Sequence, residues 1–488
     1  MNRRSFLQQS TAALALPGAR VLGANGDIRV AVAGFRGHGR THIRNYVKMP
    51  GVRIVALCDA DRAILDREVA NLKKSGIQVD GYVDIRKLLE RKDIDAVSTA
   101  TPNHWHALLT VWACQAGKDV CVEKPVSHNI WEGRKMVEAA RKYRRVVQGD
   151  LDLRSHPASD QAAAFLRSGA LGKVLVVQGF NYKPRPSIGK VPGKGHIPET
   201  VDYDLWCGPA RKGPIDRAEL HYDWHWVWDT GGGEIANNGP HQLDQIRWLL
   251  GEPGLPRRAM GLGGRFVHND AGEVPNTMIA LYDYPTAPVI FEVRGLTARR
   301  GGKEMDFFTT VTRKGVRLRN VWDGKGSNTG VIFQCEGGYI DVDAEAAFDY
   351  GGREIRKFDN AGRVDPQTSF IRAVRSRKIE DIKTDIEAAH LSACLSHAAN
   401  ISYRIGAAAK PGEIREAMSA DKDALDSWTR FTEHLAVHGV DLSRTPAVLG
   451  PWLAIDARAE RFTGTHAAKA NALVKREYRK PYVIPEKV

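Results

Sequence analysis

Residues 28–150 alternate short apolar runs with amphipathic stretches, and this alternation constrains the fold of the chain strongly. The series begins with the apolar run Ile28–Ala33, continues through a glycine-containing loop and a helical pattern to Tyr46, and reaches another apolar run at Asp119–Glu123. Repeated strand–helix units of this spacing are typical of a parallel sheet with helices on both faces. We therefore predict a doubly wound α/β domain over residues 26–150.

The pattern changes after about residue 155. A Val-rich run from Lys173 to Phe180 is followed by further β-like runs, among them Met278 to Tyr282, without the strict alternation of the first part. This indicates a second, α+β domain with a largely antiparallel sheet over residues 151–410. Residues 411–488 are predicted to form a mostly helical tail that ends in an extended segment and packs on the domains.

Positive charges exceed negative ones in this chain. Lys plus Arg number 71 and Asp plus Glu number 57, which gives a formal net charge of +14. Such a balance suits an acidic partner, but charges of both signs are mixed and no basic run carries interleaved aromatic residues. No apolar stretch reaches the ~18 residues that cross a bilayer. We therefore predict a small-molecule partner, with no nucleic acid and no membrane span.

The N-terminus has the features of an export signal. A twin-arginine pair, Arg3-Arg4, precedes a weakly apolar stretch and a small-residue region that ends near Ala24. That order is typical of a twin-arginine (Tat) signal. We predict a signal over residues 1–25, whose cleavage point the pattern leaves open, and a periplasmic location. The alternative is a frayed basic start.

The six cysteines predict neither a metal centre nor a redox site. No two of them form a C-x-x-C pair, the usual spacing of thiolate metal and redox motifs. Cys58, Cys114 and Cys121 fall within predicted strands or a helix of the first domain. We expect these three to be buried small hydrophobes rather than disulfide partners, even in an oxidising compartment.

The loop after the first predicted strand resembles a dinucleotide-binding turn. Its glycines, Gly34, Gly37 and Gly39, approach the G-x-G-x-x-G spacing, although Arg36 occupies the second glycine position and could itself reach a phosphate. Asp59 ends the second predicted strand, where a carboxylate binds ribose hydroxyls and repels a 2′-phosphate. We predict that these five residues bind NAD in preference to NADP. The alternative for Asp59 is an N-cap of the following helix.

A later strand of the first domain ends in Thr101-Pro102-Asn103-His104. Ligands of such sheets bind beyond the carboxyl ends of the strands. We therefore assign Thr101, Asn103 and His104 to the nicotinamide side of the cofactor site. A strand-to-helix turn with Asn103 as its N-cap is the simpler alternative, and both can hold together.

Two groups that can move a proton lie more than a hundred residues apart. Lys124 follows the predicted strand Asp119–Glu123 and precedes Pro125, so its backbone is expected to be extended and to aim the side chain across the strand end. Asn237 and His241 lie in the run N-N-G-P-H. A lysine and a histidine beside a nicotinamide suit the removal of a hydroxyl proton during hydride transfer. A solvated lysine and a buried structural histidine are the alternatives.

These motifs resemble those of the Gfo/Idh/MocA oxidoreductases. The resemblance covers nearly the whole chain and is carried by the run V-E-K-P at 122–125, by the strand–helix unit from Ile28, and by residues 231–244. Four further segments are similar to an exported bacterial branch of that family: 204–210, 222–226, 397–404 and 476–481. The resemblance implies a Rossmann domain followed by a domain with an open, mainly antiparallel sheet. It also implies tightly held NAD(P), sugar or polyol substrates, and a homodimer or homotetramer.

The resemblance also implies roles for single residues. Lys124, with Glu123 beside it on the cofactor side, matches the lysine that contacts nicotinamide and substrate hydroxyl. His241 matches the proton acceptor of alcohol oxidation. Asn237 stands where many dehydrogenases of the family have aspartate, and an amide can bind a hydroxyl but cannot take its proton. Asp244 lies one helical turn after His241 and is expected either to support that histidine or to begin a helix.

Aromatic residues are concentrated between residues 206 and 228. Aromatic faces stack on the apolar faces of sugar rings, so we assign Tyr222, Trp224 and Trp226 to the substrate side, together with Arg154. Core packing beneath the second sheet is the alternative. We expect about half of the group to serve each purpose, the group being Trp206, Tyr222, Trp224, Trp226 and Trp228.

Export narrows the expected reaction. The twin-arginine route moves folded proteins with a bound cofactor, and free NAD is scarce outside, so we expect the hydride to return within one catalytic cycle. It returns either to a second sugar or ketone, or to the same sugar after elimination, hydrolysis or epimerisation beside a transient carbonyl. The latter scheme is that of an NAD-dependent glycosidase or epimerase and needs no pair of carboxylates. The alternative that is not an enzyme is a non-catalytic carbohydrate-binding protein.

Overall fold

The computed structural model describes residues 26–193, 195–319 and 328–488. The predicted export signal, residues 1–25, lies outside these ranges. Two sheets with surrounding helices account for most of the described chain. Within these ranges, every helix is too short or too polar to cross a bilayer.

The first domain is a six-stranded parallel sheet. Its strands are β1 (Ile28–Ala33), β2 (Val52–Cys58), β3 (Asp80–Tyr82), β4 (Ala96–Thr99), β5 (Asp119–Glu123) and β6 (Val147–Asp150). They lie in the order β3-β2-β1-β4-β5-β6, and every neighbouring pair is parallel. This is the doubly wound order of dinucleotide-binding domains, and it confirms the predicted α/β fold.

Helices connect these strands and cover both faces of the sheet. They are Gly39–Val47, Arg62–Lys74, Ile85–Leu89, Asn103–Gln115 and Ile130–Lys142. One apolar cluster packs Val30 against Ile43 of the first helix, and a second cluster packs Val97 against Leu108 on the other side. The sequence does not predict β3, because a three-residue, largely exposed strand leaves no apolar run to detect.

The second domain is built on a large, mainly antiparallel sheet, as predicted. Its strands are β7 (Val174–Asn181), β8 (Arg258–Gly264), β9 (Thr277–Asp283), β10 (Pro288–Arg294), β13 (Thr329–Cys335), β14 (Tyr339–Asp341), β15 (Ala346–Phe348), β16 (Glu354–Lys357), β17 (Ala407–Ala409), β18 (Ala447–Leu449), β19 (Leu453–Asp456) and β20 (Arg461–Thr463). The short pair β11 (Thr309–Val311) and β12 (Arg317–Arg319) forms a separate hairpin. The strand order is β16-β15-β14-β13-β7-β10-β9-β8-β18-β17, with β19 also on β8, and β7 and β10 are parallel.

The helices of the second half are Pro157–Arg167, Tyr203–Cys207, Gly233–Asn237, Gly239–Leu250, Pro366–Ser376, Ile386–Ile405, Pro411–Met418, Lys422–Val437 and Ala467–Asn471. The predicted boundary at residue 410 does not coincide with the edge of the sheet. β18 and β19 lie beyond it, and both pair with β8, so the predicted tail completes the sheet rather than merely packing on it. Strands of three or four residues are too short to show an alternating pattern, which is why the sequence does not reveal them.

The long helix Ile386–Ile405 links the two domains. Its N-terminal half contributes Ile386 and Ala389 to the core of the first domain, and its C-terminal half contributes Ala399 and Ile401 to the core of the second. The preceding helix, Pro366–Ser376, also returns to the first sheet through Phe370 and Val374. Segments far along the chain therefore fix the first domain against the second.

The face of the second sheet that the family resemblance leaves open is covered over β8–β10. Trp428 and Phe431 of the helix Lys422–Val437 share one apolar cluster with Leu262 and Ile279 of the sheet. The C-terminal helices thus cover part of the sheet face whose exposure, by the family resemblance, implied a homodimer or homotetramer. That oligomeric state stays a prediction.

The six cysteines are all buried and free. This confirms the expectation that Cys58, Cys114 and Cys121 fill the first domain as small hydrophobes. Burial also raises the pKa of Cys114 and of Cys58 above the ordinary thiol value, which makes them poor nucleophiles.

Candidate active site

A cavity of about 750 Å³ opens between the two domains, at the carboxyl ends of β1, β2, β4 and β5. This is the edge at which doubly wound sheets bind ligands. The second domain closes the cavity with segments around residues 222–225 and 237–241 and with residues 363–367. Most predicted site residues lie in its wall: Gly34, Arg36, Gly37, Asp59, Thr101, Asn103, Glu123, Lys124, Tyr222, Trp224, Asn237 and His241.

The glycine loop approaches neighbouring backbone closely at two of its three glycines. Gly34 has a φ of +74°, and a Cβ there would lie 2.6 Å from the backbone nitrogen of Thr101. A Cβ on Gly39 would lie 2.1 Å from the carbonyl oxygen of Gly34, so Gly39 supports the loop from behind and does not line the cavity, contrary to its predicted contact with cofactor. Gly37 has open space where a Cβ would stand.

Asp59 lies at the end of β2 and faces the cavity. Its carboxylate accepts hydrogen bonds from the backbone N–H of Phe35 at 3.2 Å and of Asp61 at 3.0 Å. Burial nevertheless raises the pKa of Asp59 to about 6, because desolvation outweighs these donors. The N-cap of the following helix is Asp61, whose side chain accepts from Ala63 N–H, so the capping alternative for Asp59 is wrong.

Of the predicted site residues in the turn after β4, two line the cavity and one is buried in the core. Thr101 and Asn103 line the cavity, but Asn103 is already the first helical residue and makes no capping bond, so its N-cap alternative is wrong. His104 is 1% exposed, and its Nε2 lies 3.0 Å from the carbonyl oxygen of Trp206. Burial lowers the pKa of His104 to about 3. His104 is therefore a neutral core histidine, and its assignment to the nicotinamide side is corrected.

Lys124 and Asn237, one from each domain, meet inside the cavity. The Nζ of Lys124 donates to the Oδ1 of Asn237 at 3.3 Å. The amide nitrogen of Asn237 donates to the Oε2 of Glu234 at 3.4 Å, which leaves Oδ1 as the atom turned to the lysine. Glu234 is 1% exposed and is held by two hydrogen bonds from Arg185, at 2.8 and 2.9 Å. Burial opposes the charge of Glu234, but Arg185 outweighs it and lowers the carboxyl pKa.

A buried histidine, His42, contacts Glu123, the residue that precedes Lys124. The Nε2 of His42 is 3.1 Å from Oε1 of Glu123 and 3.2 Å from Oδ2 of Asp150, and its Nδ1 is 2.8 Å from the hydroxyl of Ser98. Burial opposes protonation of this ring, but the two carboxylates outweigh it and raise the pKa of His42 to about 10. The ring is therefore an imidazolium, and it lowers the pKa of Glu123 against the effect of burial.

One group of side chains in the described part of the chain has a geometry that could hold a metal ion, and it overlaps with this cluster. The ligand atoms of His38, His42 and Glu123 lie within 4.8 Å of one another. The sequence predicts no metal, and the bonds of His42 to Ser98 and the carboxylates already account for its ring. A protonated His42 between the two carboxylates is the simpler description of the cluster.

His241 lies in the first turn of the helix Gly239–Leu250 and lines the cavity. Asp244 follows in the same helix, but its carboxylate accepts two hydrogen bonds from Arg154, at 2.7 and 2.8 Å, and one from Ser392. Arg154 is thus committed to a buried ion pair and does not line the cavity, which corrects its assignment to the substrate side. Asp244 anchors the helix rather than beginning it.

Three of the five aromatic residues line the cavity and two, Trp226 and Trp228, do not. Tyr222 is 46% exposed and Trp224 stacks on His225 with ring centroids 3.6 Å apart, and all three line the cavity. Trp226 is 3% exposed and lies outside the lining, so it packs in the core rather than contacting a substrate. Trp206 is largely buried but reaches the cavity edge.

Several residues of the cavity were not predicted. Arg185 donates to the hydroxyl of Tyr222 at 2.9 Å as well as to Glu234. Arg185 lies four residues after the end of β7, and a basic residue just beyond a strand end is a signal that the sequence does offer. Gln367 lies at the start of a helix more than two hundred residues away from Asp150, to which its amide donates at 2.5 Å. No local pattern marks Gln367.

Two family models match the chain. Residues 28–150 match the oxidoreductase-family domain described as an NAD-binding Rossmann fold, and residues 162–284 match the C-terminal alpha/beta domain of the same Gfo/Idh/MocA family. Together the two matches span about half of the chain and include Lys124 and His241.

Curated relatives resemble a shorter part of the chain. A glycosyl hydrolase family 109 protein of Shewanella sp. (strain W3-18-1) is 31% identical over 120 residues, which is 24% of this chain and 26% of that protein. Another family 109 protein, from Shewanella baltica (strain OS155), is 32% identical over the same share. The matched region thus spans about a quarter of each relative.

Solved structures share the fold at low identity. The WlbA dehydrogenase from Bordetella pertussis, in complex with NADH and UDP-GlcNAcA, has a TM-score of 0.55 and 19% identity, and the match covers 78% of this chain and 97% of that one. The apo scyllo-inositol dehydrogenase from Lactobacillus casei has a TM-score of 0.52 and 15% identity, with coverage of 77% and 95%. With the parallel nucleotide-binding sheet and both matched domains, the chain belongs to the Gfo/Idh/MocA family of NAD-binding oxidoreductases.

Proposed function

We propose that the protein oxidises a ring hydroxyl carbon of a sugar, polyol or glycoside with NAD, and that the hydride returns to carbohydrate in the same catalytic cycle. The observation that carries the proposal is the contact between Lys124 and Asn237 at 3.3 Å, in a cavity that also holds the glycine loop and His241. A proton carrier and a hydroxyl-binding amide thus lie beside the dinucleotide site.

The residues present fit a dinucleotide. The space at Gly37, where a Cβ would meet nothing within 4 Å, and the close approach of Gly34 to Thr101 form a cradle of backbone without side chains. Asp59 faces the same cavity and suits the ribose hydroxyls of NAD, while its carboxylate disfavours the 2′-phosphate of NADP. A nicotinamide bound beside Lys124 supplies the hydride acceptor and donor.

The chain's own groups orient the substrate and carry its proton. Lys124 and the Oδ1 of Asn237 offer a donor and an acceptor to one substrate hydroxyl, and Glu234 holds that amide in place. When the C–H bond of the alcohol carbon breaks, the hydroxyl proton needs an acceptor, and we assign His241 to that role. Tyr222 and Trp224 form an aromatic wall on which the ring can stack.

Redox-neutral glycoside cleavage is a second candidate, favoured by the likeness to glycosyl hydrolase family 109 proteins. Transient oxidation of a ring carbon acidifies the neighbouring C–H, so that this proton and the adjacent glycosidic group can be eliminated. Water then adds across the double bond that forms, and the hydride returns to the carbonyl. The twin-arginine pair Arg3-Arg4 supports both candidates, because an exported enzyme benefits from a cofactor that is regenerated in place. We propose export to the periplasm on the same ground.

A deuterium experiment separates the candidates. The purified protein is incubated in D₂O with a panel of nitrophenyl glycosides and free sugars, and the products are analysed by mass spectrometry and NMR. Cleavage by transient oxidation places deuterium on the carbon next to the oxidised one. Transfer to a second sugar gives an oxidised and a reduced product in equal amounts, without cleavage. If no sugar is oxidised, cleaved or labelled, the proposal fails and a carbohydrate-binding protein is left.

A further inference from the structure

A second cavity, of about 370 Å³, lies outside the first and shares no lining residue with it. The backbone of Gly231 and Gly232 forms part of its wall. These glycines precede the helix Gly233–Asn237, which carries Asn237 into the first cavity. The second cavity is therefore separate from the place where we put the reaction, and the following inference does not depend on that reaction.

Two of the sequence segments that the proposed function leaves unused build this cavity. His397, Asn400 and Arg404 line it from the helix Ile386–Ile405, at spacings of three and four residues that place them on one helix face. Lys475 and Arg476 line it from the C-terminal segment. A polar stripe on an otherwise buried helix is unusual unless it meets a polar partner.

Buried polar atoms in this cavity have no partner within the described chain. His397 is 7% exposed and Asn400 is 5% exposed, yet Nε2 of the first and Oδ1 of the second make no hydrogen bond. The amide nitrogen of Asn400 is fixed by the carbonyl oxygen of Gly232 at 2.9 Å. The Nε of Arg476 is likewise buried and unpaired. Such groups destabilise a fold unless a ligand or solvent satisfies them.

The unpaired atoms include both donors and acceptors. Burial lowers the pKa of His397 to about 4, so its ring is neutral. Its hydrogen bond to the backbone of Ser127 keeps the single ring proton on Nδ1, and the unpaired Nε2 is therefore an acceptor. His128 donates from Nε2 to the carbonyl oxygen of Trp228 at 2.9 Å, so its buried Nδ1 is an acceptor, like Oδ1 of Asn400.

Positive charge dominates the lining. Arg476 donates to the carbonyl oxygen of Asp229 at 2.8 Å and to its carboxylate at 2.5 Å, and its buried Nε has no partner. Arg404 forms no ion pair with any described residue, is exposed, and lies over the ring of Trp228 at 4.9 Å. An arginine in this position can bind an oxyanion with two parallel N–H groups.

We propose that the second cavity binds a small hydroxylated anion, such as a sugar acid or a sugar phosphate. The guanidinium of Arg404 and Nε of Arg476 donate to its oxyanion. Oδ1 of Asn400, Nδ1 of His128 and Nε2 of His397 accept from its hydroxyls. The ligand therefore carries both an oxyanion and hydroxyl groups, because the lining offers donors for the oxyanion and acceptors for the hydroxyl groups.

Titration calorimetry on the full chain with its cofactor tests this site. The probes are glucuronate, glucose 6-phosphate, glucose and inorganic phosphate. We expect one acidic sugar per chain to bind, with glucose and phosphate at least tenfold weaker. Glucuronate against glucose 6-phosphate distinguishes a carboxylate from a phosphate as the anion. Absence of binding for both acidic sugars, or equal binding of inorganic phosphate, would overturn the proposal.

Variants locate the binding. Arg404→Gln is expected to weaken the acidic sugar at least tenfold, while Arg415→Gln, an exposed arginine on the helix Pro411–Met418, leaves it unchanged. Lys124→Ala is expected to bind the acidic sugar as tightly as the unmodified chain. If Lys124→Ala loses binding of the acidic sugar and Arg404→Gln retains it, the anion binds in the first cavity and the proposal is wrong. A change of subunit number in Arg404→Gln, measured by light scattering, would instead identify the cavity as a subunit contact.

Discussion

Replacing Lys124 with alanine is expected to lower carbohydrate turnover by a factor of about 10² to 10⁴. The side chain lies at the end of β5, in the wall of the cavity, with Nζ 3.3 Å from Asn237. Removal takes away the donor that holds the substrate hydroxyl and leaves Oδ1 of Asn237 without the lysine that donates to it. Cofactor binding is expected to persist, because the glycine loop and Asp59 are untouched. The measurement is turnover at saturating substrate, together with the absorbance ratio that reports bound NAD.

Two further variants sharpen that test. Lys124→Arg keeps the charge but replaces the compact ammonium with a larger, planar guanidinium, which cannot hold the substrate hydroxyl in the same position. We therefore expect it to bind substrate and turn over as poorly as the alanine variant. Lys190→Ala removes an exposed lysine outside the cavity and is expected to leave turnover unchanged. Normal turnover by Lys124→Ala would show that the reaction takes place elsewhere.

Replacing His42 with alanine is expected to lower the free energy of unfolding by about 3–5 kcal/mol. The imidazolium is fully buried between Glu123 and Asp150, and its loss leaves two carboxylates together without their cation. Urea unfolding at neutral pH measures the effect. His466→Ala, at an exposed histidine without a capping bond, is the matched control and is expected to change stability little. A loss for His42→Ala no larger than that of the control would contradict a charged cluster.

The raised pKa of His42 also sets a dependence of stability on pH. An unfolded histidine releases its proton near pH 6.5, whereas the native ring holds its proton up to about pH 10. Between those values the native chain binds one proton more than the unfolded chain, so stability falls as pH rises. We expect the unfolding midpoint to decline from pH 7 towards pH 10, and His42→Asn to lack this part of the decline. Parallel curves would show that His42 is neutral in the native chain.

Features that depend on neighbours in sequence were predictable. The strand–helix alternation gave the parallel sheet, since each unit carries its own apolar pattern. Lys124 and Asp59 follow strands directly, and strands of a parallel sheet end at the same edge, so their convergence follows from topology. Short elements such as β3 and β18 carry too few residues for a pattern and were not predictable in this way.

Features that depend on distant partners were not predictable from the sequence. The position of His104 just after a strand of the first sheet predicts a cofactor contact. In the structure its ring is buried and lies against the carbonyl oxygen of Trp206, a hundred residues away in sequence. Arg154 was assigned to substrate, yet the carboxylate of Asp244 binds it in an ion pair. A basic or aromatic residue near a site motif can lie in the cavity wall or in the packed interior, and its distant partners in the folded chain determine which.

The absorbance spectrum of the purified protein during addition of sugars and glycosides is the measurement that we would make first. The protein is prepared without added cofactor, and the reduced-nicotinamide band is followed while products are analysed. We predict that NAD is already bound, that the band rises with a suitable carbohydrate, and that it falls again as product forms. A protein that carries no cofactor, binds neither NAD nor NADP when they are added, and shows no change with any carbohydrate would contradict the proposed chemistry.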